Sequence, residues 1–96
     1  MEYTLAKDLQ TLLESLRDLG GDIHAEGVGH SKLHQVMMEK KDFTEEKFSR
    51  ALNYAKDKEW VVIASLGTIN PRDTDTLRVR LTAKGVDRLS KGFGLK

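Results

Sequence analysis

Three arginines, Arg72, Arg78 and Arg80, crowd the stretch LGTINPRDTDTLRVRLTAKG, residues 66–85. A guanidinium presents a fixed fork of donors that fits phosphate oxygens. Arginines gathered this way suit neutralisation of a polyanion, and such binding weakens steeply with salt. The plainer reading is that outward arginines on an edge strand deter aggregation. Asp73 and Asp75 also dilute the charge.

His24, His30 and His34 lie close in sequence, with Asp22 and Glu26 nearby. His30 and His34 have the i,i+4 spacing that can chelate a metal on a helix. Ser31, however, reads as a helix N-cap, which puts His30 outside the helix and makes these surface histidines. No metal and no cofactor is expected. Catalysis has little to stand on: there is no nucleophile elbow and no phosphate-cradling glycine loop. No carboxylate pair has a spacing that argues for acid–base work. The chain is not expected to be an enzyme.

The elements that must carry these side chains follow from hydrophobic period. Leu5, Leu9, Leu12, Leu13 and Leu16 recur at helical spacing, Thr4 can cap the start, and Gly20-Gly21 stops the helix. GGDIHAEGVGH is a loop, with a short strand around Ile23 or Val28. A second helix begins after Ser31 and turns Leu33, Val36 and Met37 to one face. KKD at residues 40–42 is a polar turn.

A third helix runs from Thr44 to Lys58. Thr44 caps it, Glu45 and Glu46 suit the positive end of its dipole, and Phe43 and Phe48 have the staple spacing. Its buried stripe is Phe48, Ala51, Leu52 and Ala55. WVVIASL and TLRVRL are strands, joined by a long loop containing Pro71. Alternation in TLRVRL sends Leu77, Val79 and Leu81 to the core and Arg78 and Arg80 to solvent. Thr82 caps a last short helix carrying Val86 and Leu89 and ending at Gly92. Leu81 and Val86 have the staple spacing again. Trp60 reads as core.

Ninety-six residues suit a single domain, 1–96. The absence of cysteine excludes disulfides and thiolate metal sites and fits a reducing cytoplasm. MEYTLAKDLQ lacks the flanks of a signal peptide, and no segment approaches the roughly 20 apolar residues of a bilayer span, so no membrane partner is expected. The net charge of +1 conceals an asymmetry. Residues 1–48 hold six Lys/Arg and ten Asp/Glu, a net of −4, and residues 49–96 hold ten and five, a net of +5. The basic half hints at an acidic partner.

The order helix, helix, helix, strand, strand, helix is α+β. The helix pair SKLHQVMMEKKDFTEEKFSRALNYAKDKEWV, the hairpin VVIASLGTINPRDTDTLRVRLT and the exit LTAKGVDRL together resemble the winged helix-turn-helix superfamily of small regulators. The resemblance implies a winged-helix fold: a three-helix core, a two-stranded wing with a short third strand, and a C-terminal helix. It implies double-stranded DNA as partner, with the third helix in the major groove and the wing on the backbone. Carried over, Arg50 would pair with guanine and Asn53 with adenine. Ser49, Tyr54, Lys32, Arg72, Arg78 and Arg80 would hold phosphates, with Lys84 close by. A homodimer would present two such helices to a two-fold site; Tyr3, Phe93 and Leu95 near the termini either pack in its interface with the first and last helices or fray. Glu45, Glu46 and Asp57 would repel phosphate, and they favour the alternative of a winged-helix module that binds another protein.

Overall fold

The computed structural model describes residues 3–21, 27–65 and 77–93. The first helix, α1, spans Tyr3–Asp18, so Thr4 lies inside it rather than capping it. Its leucine stripe is sealed: Leu9, Leu12, Leu13 and Leu16 have no exposure. Gly20 takes φ 90°, and the amides of Gly20 and Gly21 donate to the carbonyls of Arg17 and Leu16. This is the paired-amide stop expected of Gly20-Gly21. Gly21 then accepts from the Leu81 amide, which ties the end of the helix to the sheet.

Strand β1 is Val28–Gly29, and helix α2 follows directly as His30–Met38. The expected Ser31 cap is corrected here: Gly29 is the N-cap, no side chain caps the helix, and His30 opens its first turn. The chain leaves the sheet straight into helix, so no residue is left over for a separate capping turn. Leu33 and Met37 are buried and Val36 is half-buried.

Helix α3 is Glu45–Asp57, capped by Thr44, whose hydroxyl accepts from the Lys47 amide at 3.2 Å. Phe48, Ala51, Leu52 and Ala55 form its buried stripe. The helix ends with Glu59 at φ 64°, where the amides of Glu59 and Trp60 donate to Lys56 and Ala55. The same stop uses glycine at the end of α1, whereas here a β-carbon is held in the left-handed region at a cost of about 1 kcal/mol.

Strands β2 (Val61–Ser65) and β3 (Leu77–Leu81) pair antiparallel from Val61↔Leu81 to Ser65↔Leu77. β1 pairs with the other side of β3, giving the order β1-β3-β2 among the described residues. The arginine-bearing strand is therefore central, not an edge. Val79 and Leu81 are buried as the alternation requires, but Leu77 is 42% exposed at the end of the strand, where it borders an open hollow beside α3.

Helix α4 spans Ala83–Lys91 and ends at Gly92 with φ 80°. Thr82 caps it, accepting from the Gly85 amide at 3.0 Å while its own hydroxyl donates to the Glu59 carbonyl. A β-carbon on Gly85 would run into the Trp60 carbonyl oxygen. The LTAKG exit is thus explained by packing: threonine closes the helix start and glycine lets it sit against the start of β2. Val86 of the second expected staple is 39% exposed, while its counterpart Leu81 is buried. Trp60 is half-buried, with its ring edge-on to Phe93 at 5.5 Å and Arg88 over it at 5.7 Å. The architecture is α+β, with four helices and a three-stranded antiparallel sheet closing one core among the described residues. Among those residues no helix is long and apolar enough to cross a membrane.

Candidate nucleic-acid interface

The buried stripe of α3 fixes what its opposite face presents. Glu46, Ser49, Arg50, Asn53 and Asp57 are all exposed. Two neighbours divide that face. On the sheet side, Ser49 and Asn53 border a hollow of about 230 Å³ with His30, Glu45, Ile63 and Leu77. On the α1 side, Arg50 borders a second hollow of about 210 Å³ with Thr44, Glu46 and Lys47.

Arg50 does not stand alone. Its guanidinium lies 3.6 Å from the Asp8 carboxylate of α1, whose side chain is only 7% exposed. Asp8 falls three residues after Leu5 and four before Leu12, so the helical period carries it onto the buried face. The Oδ2 atom of Asp8 makes no hydrogen bond among the described residues. A buried carboxylate oxygen without a donor is costly, and the nearby guanidinium offsets part of that cost.

The histidines occupy one face of α2, contrary to the expectation for His30. Both rings meet Phe48 edge-on, His30 at 5.6 Å and His34 at 5.2 Å. His34 also pairs with Glu45 in the first turn of α3. This contact links the two helices across their turn and engages one of the two acidic groups at the start of α3. Among the described residues no group of three or more ligating side chains gathers around a metal position. His24 lies outside the described residues.

The arginines of β3 separate by role. Arg78 is half-buried and donates from Nη2 to the Gly27 carbonyl at 3.0 Å. Gly27 itself has φ 78°, and a β-carbon there would come within 2.5 Å of the Val79 carbonyl oxygen. Arg78 thus pins the chain where it enters β1. Arg80 is exposed and pairs in register with Val62. Both arginines occupy the sheet face opposite Val79, whereas Ile63 and Leu77 reach the hollow beside α3. The structure does not bring Arg78 and Arg80 into either of the hollows that border α3. Arg72 lies outside the described residues.

Tyr54 packs its half-buried ring against Trp60 at 5.9 Å, with the Lys58 ammonium 5.6 Å from the ring centre. Lys32 is exposed on the first turn of α2. Lys84 reaches Glu59, 2.8 Å from Oε2, and this hydrogen-bonded cation holds the Glu59 carboxyl below its ordinary value. Phe93 is buried against its own chain's Trp60 rather than offered to a partner. The side chain of Tyr3, like Leu95, lies outside the described residues. Sequence reading missed Asp8, because a lone acidic residue beside a leucine stripe looks like a solvated edge. It also missed the His34–Glu45 contact, which needs the turn between α2 and α3 to fold back. Comparison with family models, curated proteins and solved structures gave no match.

Proposed function

We propose that this chain is a DNA-binding winged-helix protein that acts as a transcriptional regulator. One observation carries the reading. The helix α3 keeps Ser49, Arg50 and Asn53 exposed on the face opposite its apolar stripe, and the β2–β3 hairpin stands beside it. A helix presented this way has the dimensions to enter a major groove. Arg50 and Asn53, neighbours three residues apart on that face, read base edges there. Ser49 donates to the backbone from the sheet side, and Lys32 contributes a cation from the start of α2. Arg80 and the loop arginine Arg72 supply charge from the hairpin, and a homodimer places two such helices on a two-fold site.

The test is titration of labelled duplex DNA by fluorescence anisotropy at several salt concentrations, with a solution mass measurement. Binding that strengthens steeply as salt falls is expected. Absence of binding at low salt, or indifference to salt, overturns the reading.

A second reading has its own observation. Leu77 is 42% exposed beside Asn53 and Ser49, and Glu46 and Asp57 lie on the same helix face. An apolar residue among mixed charges suits a protein partner better than a phosphate backbone. Recovery of one defined protein partner, without nucleic acid, would favour this module over the regulator.

A further inference from the structure

Away from the hairpin, the fold gathers four lysines that are dispersed in sequence. Lys7 of α1, Lys40 and Lys41 of the turn after α2, and Lys47 of α3 line one cleft of about 240 Å³, together with Thr4, Thr11, Asp8, Asp42 and Phe43. Lys7, Lys40 and Lys41 are exposed. Lys47 is held, donating from Nζ to the Asp42 carbonyl at 2.9 Å. The cleft is therefore lined by four lysines against two aspartates, and Asp8, the more deeply buried of these, already faces Arg50. This concentration of positive charge sits in the half of the sequence whose net charge is −4, where nothing in composition announces it.

We infer that this cleft is a phosphate-binding site, occupied by the DNA backbone on the α1 side of α3. The inference rests on the DNA-binding reading and extends it to the flank opposite the hairpin. Continuity argues for DNA as the occupant. Lys47 borders both this cleft and the hollow that holds Arg50, so a strand lying along α3 passes from one to the other. Lysine ammoniums are compact charges on long stems, suited to tracking a phosphate without fixing sequence. With this flank cationic, the acidic first turn of α3 no longer faces the duplex unsupported.

The experiment compares the full-length protein with K7A/K41A and with the charge-retaining K7R/K41R, by anisotropy on specific and random duplexes across a salt series. Each phosphate that the protein ceases to neutralise lowers the slope of log K against log salt by about 0.9. K7A/K41A is expected to lower it by about 2 and to weaken both duplexes equally, while K7R/K41R restores the slope. All three proteins are expected to melt alike by circular dichroism, because the substituted side chains are exposed. If the wild type binds with a steep slope and K7A/K41A matches it, the cleft is not a backbone site although DNA binding stands. If the wild type binds no duplex, both proposals fall. Addition of pyrophosphate, followed by amide shifts of Lys7 and Thr11, then shows whether the cleft takes phosphate from a free ligand instead.

Discussion

Asp8 and Arg50 lie 42 positions apart in sequence, yet the guanidinium of one sits 3.6 Å from the buried carboxylate of the other. The contact joins α1 to the helix proposed to read DNA. It also makes Arg50 answerable to two demands, since the same donor that could meet a guanine edge also compensates a carboxylate inside the fold. Arg50→Ala is expected to cost about 1–3 kcal/mol, less than the loss of a fully buried pair because Arg50 is itself half-exposed. Asp8→Asn/Arg50→Met is expected to recover much of that, because no charge is then left without a partner. Urea denaturation of the two variants measures the difference.

Asp8→Asn alone separates position from contact. It leaves Arg50 charged and able to touch DNA but no longer drawn toward α1. Affinity for random duplex is expected to hold while discrimination between preferred and random sites changes. Equal discrimination by wild type and variant would show that Asp8 has no part in aiming Arg50.

Asn53 borders the sheet-side hollow rather than the α1 side. Asn53→Ala is expected to cost about 1–3 kcal/mol on a preferred site and almost nothing on random sequence, since a bidentate amide–adenine contact carries sequence information. Arg80→Ala should weaken both duplexes alike. Arg78→Ala should in addition lower stability by about 1 kcal/mol, as the Gly27 carbonyl loses its charged donor. Thermal melts paired with anisotropy distinguish the two arginines.

Gly85→Ala is expected to be among the most damaging single-methyl additions in the chain. The new β-carbon meets the Trp60 backbone oxygen, which immediately precedes β2 and is held by the Thr82 amide at 3.0 Å. A cost of about 3 kcal/mol follows from overpacking of this kind. Thr82→Ala, which loses the cap on α4, should cost about 1–2 kcal/mol. A melting temperature for Gly85→Ala equal to that of the wild type would contradict the packing described for the LTAKG exit.

The Glu59 carboxyl titrates below its ordinary value of 4.5, through its hydrogen bond and proximity to Lys84. A depressed folded value means the unfolded chain takes up the proton first as pH falls. The contribution of this pair is therefore present above the ordinary carboxylate range and lost as pH drops through the folded value. Carboxyl carbon shifts followed by NMR should show the low titration point, and Lys84→Met should return it upward.

Local pattern determined much of this protein. The stripe Phe48, Ala51, Leu52, Ala55 and the Thr44 cap are legible because helical period and capping act within a few residues. The stop at Gly20-Gly21 and the inward pair Val79 and Leu81 are legible for the same reason. The winged-helix identity and the DNA partner stand as proposals built on that pattern. Other features depend on segments distant in sequence meeting in space. His30 enters α2 because the chain leaves β1 without a turn, and β3 becomes central because β1 returns to its far side. Asp8 finds Arg50 across the α1–α3 interface, and Lys7 joins Lys40, Lys41 and Lys47 around one cleft. Side-chain period can say which face a residue occupies, but only the packing of one element on another decides what that face meets.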